Sequence, residues 1–120
     1  MRMHHVALEV SDLERSARFY TECVGFRREM RLQWEEEQLL FLTLGDARLE
    51  LVQPLEWAGR PTGVHLAFEV GDWDGLQERL VSWIGYGSGG EPELVVMENG
   101  WQSMFVTGPD GEELEFMRIK

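Results

Sequence analysis

Two histidine–glutamate pairs, His5 with Glu50 and His65 with Glu115, are the residues of this sequence best suited to chemistry. Imidazole nitrogens and carboxylate oxygens both bind divalent ions of intermediate softness, and two of each would hold one such ion. Their placement gives the four residues a common meaning. His5 to Phe26 realigns without a gap on His65 to Tyr86, so that His5-Val-Ala-Leu-Glu-Val-Ser-Asp12 stands over His65-Leu-Ala-Phe-Glu-Val-Gly-Asp72, and Val24-Gly25-Phe26 over Ile84-Gly85-Tyr86. A looser match sets Leu49-Glu50-Leu51 over Leu114-Glu115-Phe116. The chain is therefore two copies of one module, each carrying one histidine and one carboxylate. A pseudo-twofold arrangement of the copies would bring all four together.

The elements that must position them are readable from periodicity. Met3 to Val10 alternates as a strand, with Val6, Leu8 and Val10 on one face and His5, Ala7 and Glu9 on the other. Ser11-Asp-Leu-Glu14 has the form of a capping box, and Leu13, Ala17, Tyr20 and Val24 follow at helical spacing until Gly25. Arg27 to Trp34, Gln38 to Leu44 and Ala47 to Gln53 read as strands. Pro54 to Gly63, with two prolines and two glycines, reads as a connection between modules spanning 1–53 and 64–120. The second module repeats the plan. Val64 to Val70 is a strand, Asp72 an N-cap, and Trp73, Leu76, Leu80, Trp83 and Ile84 an apolar helical stripe. Gly85 to Gly90 is a glycine-rich loop without the lysine and following helix of a phosphate-binding loop. Glu93 to Met97, Gln102 to Thr107 and Glu113 to Ile119 are strands, the last two joined by the turn Gly108-Pro-Asp-Gly111. The order is βαβββ, twice.

Parity then assigns faces. If Leu49, Leu51, Leu114 and Phe116 join Val6, Leu8, Leu66 and Phe68 on the helix side, His5, Glu50, His65 and Glu115 share the opposite side. Ala7, Val52, Ala67 and Met117 lie on that side too, small enough in part to leave room for a substrate. A lone strand histidine serves structure more often than ligation, and a lone glutamate is usually solvated. Agreement of residue type, parity and repeat position in all four favours the metal reading. His4 is out of phase with His5 and reads as structural or exposed. Glu9 and Glu69 read as rim residues reaching solvent, and Cys23 as an inert residue beside the helical stripe. Trp34, Trp57 and Trp101 are the aromatic candidates for a pocket or a subunit seam.

Composition bounds the function. At 120 residues and 43% hydrophobic, the chain is long enough for one domain with a real core. A net charge of −11, with 22 acidic residues against 11 Lys and Arg, argues against a nucleic-acid or anionic-membrane surface. Cys23 is the only cysteine, which excludes an intrachain disulfide and fits a reducing compartment. With no signal-like or membrane-spanning apolar run, a cytoplasmic protein is expected.

The stretch from His5 through Tyr20 with Val24-Gly-Phe26, the Leu49-Glu-Leu51 strand, Gly63-Val-His-Leu-Ala-Phe-Glu-Val70 and the ending Gly108-Pro-Asp-Gly-Glu-Glu-Leu-Glu-Phe116 together resemble the vicinal oxygen chelate superfamily. This is the group of glyoxalase I, methylmalonyl-CoA epimerase, fosfomycin-resistance proteins, extradiol dioxygenases and bleomycin-resistance proteins. The resemblance spans essentially the whole chain. It implies an α+β fold in which paired βαβββ modules form an open, U-shaped sheet (the glyoxalase/bleomycin resistance fold), usually in a homodimer. It also implies that His5, Glu50, His65 and Glu115 hold a divalent metal (nickel, zinc, cobalt or manganese) with about two positions left for water or substrate oxygens. Such a metal polarises adjacent oxygens and stabilises an enediolate while a carboxylate moves a proton, Glu115 being the first candidate for that base and Glu50 the second.

Two positions argue against glyoxalase I itself. Where glutathione-using relatives tend to carry an arginine and an asparagine that contact the thiol cofactor, this chain has Glu9 and Pro54. The expectation is a metal-dependent lyase or isomerase acting on a small oxygen-rich substrate. Its rivals are a metal-independent, ligand-sequestering protein of the bleomycin-resistance type, which the acidic balance would suit for a cationic drug, and an extradiol dioxygenase, which needs only two histidines and one carboxylate.

Overall fold

A computed structural model of the chain describes residues 2–59, 65–83 and 93–119. The chain divides into two compact units, Met1–Pro61 and Thr62–Lys120. In the first, β1 (Val6–Glu9) leads into α1 (Leu13–Arg18), which runs on as a π-helical turn (Phe19–Val24), followed by β2 (Arg27–Trp34), β3 (Glu37–Leu44) and β4 (Ala47–Gln53). The second unit has β5 (His65–Glu69), α2 (Trp73–Trp83), β6 (Glu93–Val96), β7 (Gln102–Thr107) and β8 (Glu113–Arg118). Each unit builds one four-stranded sheet, ordered β1-β4-β3-β2 in the first and β5-β8-β7-β6 in the second. β1 pairs parallel to β4 and β5 parallel to β8, while the other pairings are antiparallel. The α+β class and the doubled βαβββ order are those expected from the sequence.

Register carries the repeat into three dimensions. Ala7 stands opposite Glu50 and Leu8 opposite Leu51, and Ala67 opposite Glu115 and Phe68 opposite Phe116. In the first unit Leu8, Val10, Leu40, Leu42, Leu49 and Leu51 are buried together with Leu13, Ala17, Phe19 and Tyr20 of the helix. In the second, Leu76 and Leu80 of α2 are buried along with Met104, Leu114 and Phe116, and the Phe68 and Phe116 rings stack at 5.6 Å. Val6 breaks the pattern: it is 42% exposed at the start of β1 although its parity places it with Leu8. β2 is exposed along its whole length, as an edge strand with a register shift between Arg28 and Met30.

The helix ends differ from expectation in two ways. The first helix is capped by Asp12, whose side chain accepts from Arg15 N at 3.0 Å, and Glu14 leaves the proposed capping box to pair with Arg28 at 2.6 Å. Gln53 Oε1 accepts from Leu13 N at 2.7 Å, so β4 satisfies another open donor of the first turn. Regular α periodicity also stops at Arg18. Gly25 N and Phe26 N both bond to Tyr20 O, and the Thr21 hydroxyl donates back to Ala17 O at 2.8 Å, a side-chain competition that favours a wider turn. The widened turn brings Cys23 fully into the core and leaves Val24, which the 3.6-residue stripe selects, half-buried. α2 starts as read, with Asp72 accepting from Gly75 N at 3.1 Å. A Cβ at Gly75 would meet the Asp72 carboxylate, which would have to shift. Val64, Ile84 and the loop at 85–90 lie outside the described residues, as do residues 60–63 of the expected connection.

Candidate metal centre

In each unit the glutamate sits on an interior strand, β4 or β8, and the histidine at or just before the neighbouring parallel strand. His5 precedes β1 by one residue, whereas His65 opens β5. The histidine is two residues ahead of the alanine that faces the glutamate, so both side chains project from the same face of the sheet. The structure thereby joins His5 Nε2 to Glu50 Oε1 at 3.3 Å and His65 Nε2 to Glu115 Oε1 at 3.5 Å. The two pairs use the same atoms at nearly the same separation. Two ligand bonds of about 2.1 Å set at roughly 90–110° place their donor atoms about 3.0–3.4 Å apart, so each pair is spaced close to what adjacent ligands of one ion require. The imidazole and carboxylate of each pair also match the donor chemistry of nickel, zinc, cobalt or manganese. Within each unit, among the described residues, no third His, Cys, Asp or Glu completes a group able to hold a metal.

The pairs differ in what supports them. Glu115 is 7% exposed, and the fully buried Ser103 donates its hydroxyl to Glu115 Oε2 at 2.7 Å. Both oxygens of Glu115 are thus engaged, one by Ser103 and one facing His65. Phe105 stands across from Glu115 as Phe41 does from Glu50, which makes Leu39 the first-unit counterpart of Ser103. Leu39 has no hydroxyl, and Glu50 accordingly lacks that second hold.

The first pair is supported through its histidine. His4 Nδ1 lies 2.8 Å from His5 Nδ1, and Arg48 Nη1 lies 3.3 Å from His4 Nε2. Arg48 is clamped in turn by Glu29 through two bonds of 2.8 Å. These bonds hold the Glu29 carboxyl below its ordinary range and raise the Arg48 guanidinium above its own. The Phe41 ring meets the His5 ring edge-on at 5.1 Å. In the second unit the residue before His65 is Val64, and Glu113 occupies the repeat position of Arg48, so this chain of contacts has no sequence counterpart there.

Ala7 and Ala67 are exposed beside their pairs, Val52 is buried and Met117 half-buried. Glu9 and Glu69 are exposed at the ends of β1 and β5, as rim residues would be. Trp34 lines an open depression of about 610 Å³ with Glu35, Glu36, Glu37 and Leu55 at the β2–β3 turn, which contains none of the four candidate ligands. Sequence reasoning missed Ser103, although it is a small polar residue on the ligand-side parity of β7. It read His4 as structural or exposed, and His4 is exposed, with its ring against that of His5 because residues before Val6 are not in a strand.

Residues 2–116 match the family model described as Glyoxalase/Bleomycin resistance protein/Dioxygenase superfamily. The chain belongs to this superfamily. A glyoxalase family protein from Enterococcus faecalis is 30% identical, with a TM-score of 0.78 over 98% of this chain and 97% of that one. A glyoxylase/bleomycin resistance protein/dioxygenase domain from Frankia sp. EAN1pec shares the fold at a TM-score of 0.81, with 24% identity over 100% of this chain and 93% of that one. Human mitochondrial methylmalonyl-CoA epimerase is 36% identical over 56 residues, which span 45% of this chain and about a third (32%) of that protein. Superfamily membership is thus shared with proteins of different activity. No helix among the described residues is long and apolar enough to cross a membrane.

Proposed function

We propose that this superfamily member is a metal-dependent lyase or isomerase of the glyoxalase I-like type, in which His5, Glu50, His65 and Glu115 together hold one divalent ion. The carrying observation is the pair of equivalent Nε2–Oε1 contacts, 3.3 Å in one unit and 3.5 Å in the other. When bound, the ion supplies a Lewis acid that neutralises negative charge developing on adjacent substrate oxygens. The histidines orient it, and Glu115, engaged by Ser103, stays in place. Among the described residues no hydrogen bond holds Glu50 Oε2, so Glu50 is the better carboxylate to take a proton from the substrate carbon and return it to the same or a neighbouring carbon. That ranking reverses the one suggested by the resemblance, which put Glu115 first. The local likeness to an epimerase supports proton transfer at carbon, the step that lyase, isomerase and epimerase chemistry of this type have in common.

The substrate is a small molecule with adjacent oxygens and an acidic carbon between or beside them. Glu9 and Pro54 disfavour glutathione as its carrier. We further propose a homodimer in the cytoplasm: the exposed edge strand β2 presents Met30, Leu32 and Trp34 on one face, surface that a second subunit would cover. Elemental analysis of protein purified without chelators should find a divalent metal, and His5→Ala and His65→Ala should each weaken its binding strongly. With an active substrate in hand, Glu50→Gln should lose more turnover than metal, and Glu115→Gln should lose both. Metal affinity equal in wild type and both histidine variants would defeat the proposal, and metal-free protein that binds a cationic drug tightly would favour sequestration.

A further inference from the structure

The contacts around His4 define where hydrogens stand. A guanidinium only donates, so His4 Nε2, 3.3 Å from Arg48 Nη1, is the acceptor in that contact. An imidazole accepting at Nε2 carries its hydrogen on Nδ1, and that atom faces His5 Nδ1 at 2.8 Å. His5 Nδ1 therefore accepts, and its own hydrogen stands on Nε2, the nitrogen that lies 3.3 Å from Glu50 Oε1. The direction of donation runs from Arg48 through His4 to His5.

Ligation through His5 Nε2, the nitrogen beside Glu50, requires the opposite arrangement. The ligating nitrogen must offer a lone pair, so the single hydrogen of His5 moves to Nδ1 and is donated to His4 Nδ1. The hydrogen of His4 must then stand on Nε2, where it opposes the N–H of Arg48. One proton leaves His5 Nε2 for solvent, one arrives at His4 Nε2 from solvent, and the shared proton changes owner between the two Nδ1 atoms. Neither ring changes charge. Arg48 cannot turn to accept, and Glu29 holds it in place with two bonds.

We propose that His4 is a positioning residue for His5, fixing its ring and exchanging tautomer in step with metal ligation, and that the Glu29-clamped Arg48 acts through His4 as a brake on that ligation. This rests on the metal reading above and adds a control found in the first half of the chain alone, since Val64 stands where the second half would need a histidine.

Nitrogen-15 NMR of the imidazoles tests the tautomers directly, with zinc as the probe metal. Metal-free wild type should show His4 protonated on Nδ1 and His5 on Nε2, and zinc should move both hydrogens to the other nitrogen. His4→Ala should weaken zinc binding about 10-fold or more, as loss of a ligand's hydrogen-bond partner does. His4→Asn, which keeps a polar atom at the δ position and offers nothing to Arg48, should restore it. Arg48→Met should tighten binding roughly 2- to 10-fold in wild type, about the worth of one hydrogen bond, and should change nothing in the His4→Asn background. A tightening that persists in that background would mean Arg48 acts only as a charge and would overturn the brake. Zinc uptake with unmoved His4 hydrogens, or with unchanged affinity in His4→Ala, defeats this proposal and leaves the metal reading intact. Failure of wild type to take up zinc defeats both.

Discussion

Removing the Ser103 hydroxyl should expose how firmly Glu115 is held. Ser103 is fully buried and Glu115 only 7% exposed, so water cannot readily replace the hydroxyl when Ser103→Ala deletes it. The bond is short, 2.7 Å, and its acceptor is a carboxylate, the class for which a hydrogen bond contributes about 1.5–3 kcal/mol. The side chain is otherwise nearly isosteric, and the space left is too small to add a large cavity cost. Metal-free Ser103→Ala should therefore unfold about 6–12 °C below wild type, taking roughly 4 °C per kcal/mol for a chain of this length. Saturating zinc should narrow the difference, because the ion compensates the carboxylate that Ser103 no longer serves. Thermal unfolding followed by circular dichroism, with and without zinc, measures both. A midpoint within 1 °C of wild type in the metal-free protein would refute the reasoning, and with it the ranking of Glu50 over Glu115 that depends on Ser103. The control is Leu39→Ser in the first unit, which should not confer a matching gain, since it puts a hydroxyl into a site packed for a buried leucine.

On the proposed reading, metal-loaded protein should turn over the methylglyoxal–glutathione hemithioacetal weakly or not at all, because Glu9 and Pro54 stand in place of the arginine and asparagine that glutathione-using relatives tend to carry. Robust activity that Glu50→Gln or Glu115→Gln abolishes would make the protein an ordinary glyoxalase I. Gly108→Ala should destabilise by about 1–3 kcal/mol, since its Cβ would stand 2.5–2.8 Å from the buried side chain of Glu112, and chemical denaturation with no loss would contradict that packing. The Arg28 hydrogen bond holds the Glu14 carboxyl below its usual range, so the pair's small stabilisation is present above about pH 4.3 and is lost as the pH falls through the lowered folded value. The wild-type advantage over Glu14→Gln should shrink accordingly on acidification, and also in high salt because both groups are largely exposed. An advantage unchanged down to pH 2 would rule the pair out as its source.

Much of the candidate site was legible in the sequence because its logic is local. Strand alternation has a period of two, and the internal repeat aligns that period between halves, so His5, Glu50, His65 and Glu115 fall on one parity before any coordinates are known. The helix N-cap at Asp72 and the turn at Gly108 to Gly111 are local in the same way. Where local patterns competed, tertiary contacts decided. Ser11 and Glu14 spell a capping box, yet Arg28 on β2 draws Glu14 away and Gln53 on β4 serves the first turn in its place. The helical stripe selects Val24, yet the π turn made by Thr21 and Tyr20 turns Cys23 inward.

By itself, then, the sequence determined the doubled α+β plan, the superfamily and the four candidate ligands. Only the tertiary structure decided which glutamate is tethered and which histidine is backed by another. Those depend on the pairing of β7 with β8, which sets Ser103 within 2.7 Å of Glu115, and on irregular backbone before β1, which lets the ring of His4 reach His5. Register between strands and the path of a non-periodic segment are set by packing over the whole unit, and no repeating pattern along the chain encodes them.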